Sequence, residues 1–522
     1  MTSTASTQTQ STASRPAQYD SIIIGGGVGG LATAIRLASQ GQKVALYERN
    51  AQLGGKLNII QQDGWTFDTG PSLFTMPDVA RDLFVAAGTT LEAELDLIPL
   101  DPICRYFYPD GIIFDASAEM ERMTATISEF SEYDAQGFEH FIDYGRRVYN
   151  ITTEPFLESA MERTSDIIGP LLRRLNRPGD LARVMSPRTL NSLVSHFFKD
   201  PHMRQLFNRY ATYNGSSPYK IPAVYTVIPY VEYAFGAWYP RGGMYQFGIA
   251  LERVAKRVGV DIFLQSPVRQ IRTAQGKAIG VELVNGTLVT ATSVISNVDI
   301  TTTYRHLLRD SASAREKVKR LEKFEPSLSG FVLMLGVDRR YDELAHHNIY
   351  FSNNYKTEFA DIFDRLVAPR DPTIYVCATS RTDPTQAPPG GENLFILVNV
   401  PYLSPEFSWA AEGAGYRTLI LDKLEQMGLT NLHDHIVFEA TMTPEDLEAR
   451  YGAQRGAIYG FSSNNLFATF QRPKNRATDI EGLYFAGGSV HPGGGLPLVL
   501  LSGKIVSELV LADVAVTRAK ER

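Results

Sequence analysis

The first residues in this chain that could do chemistry form a glycine-rich turn, Gly25-x-Gly27-x-x-Gly30, between an apolar run and a helix-like segment. The first glycine permits a tight turn, the second lets the backbone approach a pyrophosphate, and the third allows a helix to pack closely on a strand. A second apolar run ends at Glu48, 23 residues after Gly25, where an acidic side chain can bind a ribose hydroxyl. This spacing predicts a dinucleotide-binding βαβ unit.

A second glycine turn follows shortly after this unit. Gly54 and Gly55 precede Lys56, and Gly70 follows in the segment Gly64-Trp-Thr-Phe-Asp-Thr-Gly70. A glycine pair beside a basic side chain predicts another close approach of the backbone to the dinucleotide, with Lys56 facing phosphate. No second GxGxxG turn between a strand and a helix occurs in the sequence, so we expect no separate NAD(P)H domain.

A stretch near the end of the chain, from Gly482 to Gly503, has no charged side chain apart from the ionisable His491 and is long enough to cross a bilayer. Seven of its 22 residues are glycine and two are proline. Such a loop would leave backbone groups without partners in lipid, which costs several kcal/mol for each group. We therefore predict a strand, a glycine loop, and a helix that begins near Leu496 and Pro497.

These motifs resemble those of the flavin-containing amine oxidase superfamily, although Gln52 and Lys56 stand at two positions where basic side chains are usual. Three further stretches narrow the resemblance to the bacterial and fungal phytoene desaturase family of carotenoid desaturases. They are Ser296-Asn-Val-Asp299, Trp238-Tyr-Pro-Arg-Gly-Gly243 and His491-Pro-Gly-Gly-Gly-Leu-Pro497. The resemblance extends from Tyr19 to about Leu511 and implies FAD as the cofactor.

The resemblance also implies roles for individual residues. Val268 would contact the adenine through its backbone, although a strand valine is equally expected in a core. Gly487 and Gly488 would pack against the ribityl chain, and Leu498 would place the N-terminus of the last helix beside the flavin ring. The partial positive charge of that helix end, roughly half a unit, would stabilise an anionic reduced flavin.

No convincing catalytic base can be recognised in the sequence. His491, Glu232 and Arg241 lie near the flavin motifs and are the candidate catalytic residues, and each has an equally reasonable structural role. In the implied reaction, hydride passes from a C–H group to flavin N5, and the protein positions the substrate and excludes water. Electrons would leave to oxygen, a quinone or another acceptor.

Composition excludes several other classes of protein. The 522 residues carry a net charge of −6, which indicates no nucleic-acid partner. Cys104 and Cys377 have no metal or redox spacing, which indicates a reducing compartment. His346 and His347 would point to opposite faces of a strand, so we predict no metal site. The first 18 residues lack the apolar core of a secretory signal.

The elements that must position these motifs are predicted to alternate between two domains. We expect an α/β fold: a Rossmann-type FAD-binding domain, glutathione-reductase-like and amine oxidase-like, interleaved with a mixed-sheet substrate domain and a helical membrane-facing cap. The predicted segments are a disordered tail (1–18), FAD-binding parts (19–100, 251–310 and 476–515), a helical substrate and membrane-associating part (101–250) and a substrate-domain sheet (311–475).

Two stretches of the helical part bear on the substrate. Residues 163–199 carry seven Lys or Arg against two Asp, interleaved with apolar residues, and could lie on an anionic membrane surface or form an ordinary amphipathic cap. Residues 225–247 contain eight aromatics, which could line a tunnel for a long polyene or form a core. With the resemblance, we expect a cytoplasmic protein, peripheral on the membrane, that takes its substrate from lipid.

The sequence therefore predicts an enzyme, an FAD-dependent carotenoid desaturase that introduces C=C bonds into a linear polyene of the phytoene type. Later steps stay open, including 3,4-desaturation of a hydroxylated carotenoid and desaturation of a C30 diapocarotenoid. A carotenoid cis-trans isomerase, an amine oxidase or a non-catalytic polyene carrier are alternatives from other classes.

Overall fold

The computed structural model describes residues 18–520 except 163–164, 167–168, 170–171, 174–178, 312, 406 and 466–471. Its strands are β1 (Gln18–Ile24), β2 (Val44–Tyr47), β3 (Ile59–Gln62), β4 (Trp65–Asp68), β5 (Leu97–Pro99), β6 (Cys104–Phe107), β7 (Ile113–Ala116), β8 (Trp238–Pro240), β9 (Asp261–Phe263), β10 (Val268–Ala274), β11 (Lys277–Leu283), β12 (Leu288–Ser296), β13 (Ser329–Val337), β14 (His347–Tyr350), β15 (Ile374–Cys377), β16 (Glu392–Val400), β17 (Ile436–Met442) and β18 (Leu483–Phe485). The predicted tail lies outside the described residues, except for Gln18, which begins β1.

The α-helices that the structure describes lie between and after these strands. They are α1 (Val28–Ser39), α2 (Pro77–Ala86), α3 (Leu91–Glu94), α4 (Met120–Phe130), α5 (Glu132–Thr152), α6 (Asp180–Val184), α7 (Leu190–Phe197), α8 (Pro201–Asn208), α9 (Val227–Phe235), α10 (Tyr245–Arg257), α11 (Ile300–Thr302), α12 (Ala314–Leu321), α13 (Tyr355–Ala360), α14 (Trp409–Gln426), α15 (Pro444–Tyr451) and α16 (Leu496–Lys520). Among the described residues, no helix combines the length and apolar content that a bilayer crossing requires.

The first sheet gathers strands from both ends and the middle of the chain. Its order is β10-β11-β12-β1-β2-β9, and β18 pairs with the later part of β12. Strands β9, β2, β1, β12 and β18 run parallel, while β10 and β11 form an antiparallel extension. Strands β11 and β12 form an antiparallel hairpin across Asn285-Gly286, where Gly286 has a φ of +84°.

The register of this sheet brings distant loops to one edge. Ile24 pairs with Tyr47 on one side and with Ser296 on the other, and Ser296 pairs in turn with Phe485. Four parallel strands therefore end together, and ligands bind in α/β sheets at the carboxyl edge of such strands.

The last helix packs directly on the first. A side chain at Gly503 of α16 would place its Cβ 2.7 Å from the Ala32 Cβ of α1, so the close approach of the two helices requires glycine there. The predicted strand, glycine loop and helix across residues 482–503 are confirmed as β18, the loop and α16.

The second sheet forms the other half of the molecule, with the order β17-β13-β16-β15-β14-β6-β7. Within the segment predicted to form the substrate-domain sheet, β13 and β16 pair antiparallel over their whole length. Strands β6 and β7 come from the segment predicted to be helical, and β6 pairs in parallel with β14, where Arg105 is the partner of Asn348. Local patterns cannot reveal such a pairing because the two strands are so distant along the chain.

A helical layer packs against one end of the second sheet, where Tyr106 of β6 belongs to the same hydrophobic core as these helices. Helices α5 and α8 meet through tilted aromatic contacts between the rings of Phe138, Phe141 and Phe207. Much of the basic stretch between residues 163 and 178 lies outside the described residues. Within residues 163–199, Leu172 is 59% exposed and Met185 is 44% exposed.

Candidate active site

Glu48 ties the glycine-rich turn to the end of β2. Its Oε2 accepts a hydrogen bond from the Gly26 backbone N–H at 2.7 Å, and its Oε1 accepts one from the Asn50 N–H at 2.8 Å. The carboxylate is buried at the edge where the parallel strands end. This position suits the ribose-binding role that its spacing predicts.

Glycines let three backbone segments converge at this edge. A side chain at Gly55 would place its Cβ 3.1 Å from the Gly27 Cα, and one at Gly29 would place its Cβ 3.2 Å from the Gly487 Cα. The Gly54 N–H also donates to the Gly26 carbonyl at 2.8 Å. Any side chain would fill this cradle, so the bare backbone suits the close approach of a dinucleotide.

Asn297 connects the loops after β1, β12 and β18, and it is not among the residues that the sequence predicts to bind the cofactor. Its backbone N–H donates to the Ile24 carbonyl at 2.8 Å, and its side-chain amide donates to the Ala486 carbonyl at 2.9 Å. The amide also lies against the glycine turn, because a Cβ at Gly27 would fall 2.6 Å from Asn297 Oδ1. Asn297 directly follows β12 in the Ser296-Asn-Val-Asp299 motif. This position at the end of a parallel strand could have indicated a site residue.

Lys56 reaches across the molecule to a distant loop. Its ammonium group donates to the Ile458 carbonyl at 2.5 Å and to the Ala457 carbonyl at 3.2 Å. Burial lowers the pKa of Lys56 to about 8, although the nearby carboxylate of Asp299 acts in the opposite direction. Gly70 packs over the carbonyl of Lys56, where an added Cβ would fall 1.8 Å from the oxygen. The phosphate contact predicted for Lys56 stays a prediction.

A cavity of about 780 Å³ opens at this edge and extends to the second sheet. Ten of the eleven residues predicted to bind the cofactor line it, and Gly30 packs beneath the turn, where a Cβ would fall 2.3 Å from the Gly25 carbonyl oxygen. The ten are Gly25, Gly27, Glu48, Gly55, Lys56, Gly70, Val268, Gly487, Gly488 and Leu498. Together with the N-terminus of α16, this glycine cradle fits FAD, and the individual contacts stay predictions.

The three candidate catalytic residues lie outside the lining of this cavity. His491 is buried, with its Nε2 3.1 Å from the Ser159 carbonyl oxygen, and burial lowers its pKa to about 4. Glu232 accepts hydrogen bonds from the hydroxyls of Tyr210 and Tyr213 at 2.7 and 2.6 Å. Arg241 is exposed and pairs with a surface carboxylate. The structure does not bring these three side chains together, because each has a separate partner, and their catalytic roles stay predictions.

One face of the second sheet forms an apolar wall of the cavity, which we call the chamber wall. The wall consists of alternate residues of five strands, because successive side chains point to opposite faces. Its apolar members are Val332, Ile349, Phe395, Leu397 and Met442. The opposite face packs on α14 through a separate core that contains Phe331 and Trp409. A long hydrocarbon could lie against the chamber wall.

Most of the eight aromatics between residues 225 and 247 belong to the core and not to the cavity. Of the eight, only Tyr225 lines the cavity. Phe247 packs edge-on against Phe74 and Phe84, and Tyr233 against Phe138. These side chains point away from the cavity because α9 and α10 bury them against the other helices and the flavin domain.

A hydrogen-bonded chain of polar groups interrupts the chamber wall. Tyr375 lies between Ser72, whose Oγ is 2.6 Å from the tyrosine hydroxyl, and His347, whose Nδ1 is 2.8 Å from it. All three residues line the cavity, as does Arg209. Burial holds the pKa of His347 well below its usual range, with the His346 imidazole and the Arg209 guanidinium acting in the same direction, so the imidazole is neutral.

The expectation that His346 and His347 point to opposite faces of a strand is wrong. His346 precedes β14, where the alternation of a strand does not apply, and the two rings meet edge-on with centroids 4.4 Å apart. Potential ligand atoms of His346, His347 and Cys377 lie within 4.8 Å of one another. Nδ1 of His346 lies 2.6 Å from the Thr382 hydroxyl, and burial lowers the pKa of His346 to about 3.

A flavin cradle that opens into a chamber beside a second sheet defines a flavin-dependent oxidoreductase. The chain belongs to the family of flavin containing amine oxidoreductases, whose model matches residues 28–511. The α/β fold, the FAD cofactor and the oxidoreductase class predicted from the sequence are thereby confirmed.

Curated relatives of this chain carry the names of carotenoid oxygenases. The chain is 38% identical to a 4,4'-diapolycopene oxygenase of Methylomonas sp, over 94% of this chain and 98% of the relative. It is 37% identical to a 4,4'-diaponeurosporene oxygenase of Staphylococcus aureus (strain MW2), over 95% and 99%. The predicted superfamily is confirmed, whereas these relatives are named oxygenases and not phytoene desaturases.

Solved structures share the fold at low sequence identity. An oxidoreductase from Methanosarcina mazei superposes with a TM-score of 0.61 at 18% identity, covering 94% of this chain and 99% of that one. A mutant of putrescine oxidase, made in a redesign of its cofactor binding, superposes with a TM-score of 0.63 at 15% identity, covering 95% and 99%.

Proposed function

We propose that the protein is an FAD-dependent enzyme that oxidises a linear C30 carotenoid and introduces an oxygen function into it. The names of both relatives support this class of reaction and substrate. They favour the C30 alternative over the phytoene-type desaturation that the sequence motifs first suggest. Bound FAD would accept a hydride from the substrate. Because both relatives are named oxygenases, we expect dioxygen and not a quinone as the co-substrate.

The proposed class of substrate depends most on the scarcity of acidic side chains in the chamber. Among the described residues that line the cavity, the acidic ones are Glu48 and Asp299, and both lie at the flavin edge. A protonated amine would need a carboxylate near it in so apolar a chamber, because an unpaired buried charge is costly. The chamber wall therefore favours an uncharged, apolar substrate such as a polyene over an amine.

The chain's own residues would position the polyene and exclude water. Val332, Phe395 and Leu397 supply a flat apolar surface along the chamber wall, and Leu498 lies at the helix N-terminus that faces the cavity. Burial of a long hydrocarbon against such a surface contributes about 25 cal/mol for each Å² of apolar area removed from water. This apolar contact would hold the substrate beside the flavin without fixing its position along the chamber.

A membrane surface is the proposed source of the substrate. The exposed apolar side chains Leu172 and Met185 lie in the basic stretch of residues 163–199. Apolar side chains among basic ones are typical of segments that lie in the headgroup layer. The protein would then be peripheral on the membrane and draw the carotenoid from lipid.

The test is to express the protein in cells that accumulate 4,4'-diapolycopene, and separately in cells that accumulate phytoene or lycopene, and to analyse the pigments by mass spectrometry. We expect products that have gained oxygen from the C30 polyene. Loss of hydrogen alone would support desaturation, and a changed spectrum at unchanged mass would support isomerisation. Turnover of amines with no change in any polyene would overturn the proposal. The matched control is Gly30→Ala, which should not hold FAD.

A further inference from the structure

The chamber wall contains a polar group where a hydrocarbon substrate needs none. Tyr375 pairs across the sheet with Ile349 on one side and Leu397 on the other, and both neighbours are apolar and line the cavity. Tyr375 is therefore a polar side chain between two apolar cross-strand neighbours. Burying a hydroxyl in such a place is unfavourable unless it is hydrogen-bonded, and Ser72 and His347 provide those bonds.

Ser72 and His347 are the strong hydrogen-bond partners of Tyr375, and the nearby Cys377 thiol is a weak one, so the phenol can still make one further strong hydrogen bond. A phenol has one donor hydrogen and accepts through its oxygen lone pairs, so it can make about three bonds in all. If Tyr375 donates to His347 Nδ1, an oxygen lone pair is left to accept from an alcohol. If the Nδ1–H donates to Tyr375 instead, the phenol hydrogen is free to donate to a carbonyl. His347 Nε2 is buried without a partner among the described residues, which is compatible with either tautomer.

The charge near this group favours an uncharged oxygen. Arg209 also lines the cavity, but its guanidinium lies 3.4 Å from the Glu232 carboxylate and donates to the Tyr106 hydroxyl at 2.6 Å. The guanidinium also lies over the ring of Tyr210, 4.3 Å from its centroid. Because these contacts balance the positive charge, the chamber presents a polar but nearly neutral surface beside Tyr375.

We propose that the Tyr375 hydroxyl, held by Ser72 and His347, binds the oxygen atom of a polyene alcohol or aldehyde. This inference rests on the proposed function, in which the product carries an oxygen function and is still largely hydrocarbon. Apolar contact alone leaves the polyene free to slide along the chamber wall. A hydrogen bond at Tyr375 fixes its position and makes the oxygen-bearing polyene bind more tightly than the hydrocarbon from which it is made.

The test measures binding and not turnover. The purified FAD-loaded protein, with its flavin reduced by dithionite so that it cannot accept a hydride, is titrated without dioxygen with C30 polyene hydrocarbon, alcohol and aldehyde. Binding is followed through the visible absorption of the pigment. We expect the wild type to prefer both oxygenated polyenes. Tyr375→Phe should weaken their binding about tenfold, as loss of one hydrogen bond would, and leave that of the hydrocarbon unchanged.

The matched control is Tyr350→Phe. Tyr350 lies on the adjacent strand but faces the opposite core, and its hydroxyl has no hydrogen-bond partner among the described residues. This variant should bind all three pigments as the wild type does. Flavin absorption and thermal unfolding verify that both variants are folded and loaded with FAD.

Two results would overturn the inference. One is wild-type binding that does not distinguish oxygenated from hydrocarbon polyenes, and the other is a Tyr375→Phe variant that loses affinity for all three pigments equally. Either result is compatible with a protein that still oxidises the C30 polyene in cells, so it would leave the proposed function intact. Failure to convert any polyene in cells would instead refute the proposed function itself.

Discussion

The flavin edge and the chamber are built in different ways. At the flavin edge, backbone approaches backbone, and Gly27, Gly29, Gly55 and Gly487 leave space where any side chain would intrude. In the chamber, side chains from alternate positions of several strands form the surface, and their partners come from distant segments. The first construction tolerates almost no substitution, whereas the second can change its chemistry through single side chains. The predictions below test this difference, from the largest expected effect to the smallest.

The largest effect is expected from Gly30→Ala. The added Cβ would lie 2.3 Å from the Gly25 carbonyl oxygen inside the turn, and backbone cannot yield as the end of a side chain can. We expect protein that purifies without flavin or fails to fold, as measured by absorption near the flavin bands. Gly415→Ala in α14 is the control, since a Cβ there meets nothing within 4 Å and alanine favours helix. Normal flavin content in Gly30→Ala would contradict the view that the flavin edge tolerates fewer substitutions than the chamber.

The next effect is expected from Glu232→Ala, beneath the chamber. Glu232 is 1% exposed and Arg209 is 5% exposed, so removing the carboxylate leaves a buried guanidinium without its counter-ion. Loss of one partner of a buried pair typically lowers the free energy of unfolding by about 3–5 kcal/mol. Chemical denaturation measures this change.

Arg241→Ala is the control for that measurement, because Arg241 forms an exposed ion pair with Asp96. We expect its unfolding transition to coincide with that of the wild type. Equal destabilisation by the two substitutions would show that the buried pair has no special role in supporting the chamber.

Lys56 should give the flavin-free protein a characteristic pH dependence. Its pKa is about 8 in the folded protein against 10.5 for an ordinary lysine, so between these values the unfolded chain binds a proton that the folded one has lost. The free energy of unfolding should therefore rise with pH in this window, by at most about 1.4 kcal/mol per pH unit. Urea denaturation between about pH 7.5 and 9.5 should show this slope in the wild type and a smaller one in Lys56→Met.

Lys256→Met serves as the matched control, because Lys256 lies on an exposed helix face, where it pairs with Glu252. Its slope should equal that of the wild type. An unchanged slope in Lys56→Met would mean that the ammonium group is as well solvated in the folded protein as in the unfolded chain.

The smallest effect is expected from Asn297→Ala. The substitution removes the hydrogen bond to the Ala486 carbonyl, which typically contributes about 1 kcal/mol to stability. Because this bond connects the loops after β12 and β18, FAD should also bind more weakly, as fluorescence titration of the flavin would show. Asn285→Ala, in the exposed hairpin turn between β11 and β12, should leave FAD affinity unchanged. If both variants bind FAD like the wild type, Asn297 does not organise the cradle.

Sequence patterns indicated the flavin edge well and the chamber poorly. Ten of the eleven predicted cofactor residues line one cavity. The spacing of glycines indicates these positions because a close approach of the backbone requires the absence of a side chain. Asn297 was missed because an asparagine after a strand has many ordinary roles. His491, Glu232 and Arg241 lie near the right motifs along the chain, yet their side chains have partners elsewhere. Distance along the chain says nothing about the direction in which a side chain points.

The sequence by itself determined the βαβ unit, the second glycine turn and the last helix, since local spacing and residue type are enough to specify them. Only the tertiary structure decided that residues 25–30 and 487–498 share one edge, through parallel pairing of β1, β12 and β18. It also decided that Ser72, His347 and Tyr375 meet on one wall. The physical reason is that strand pairing and side-chain contacts join segments hundreds of residues apart, and no local pattern records their partners.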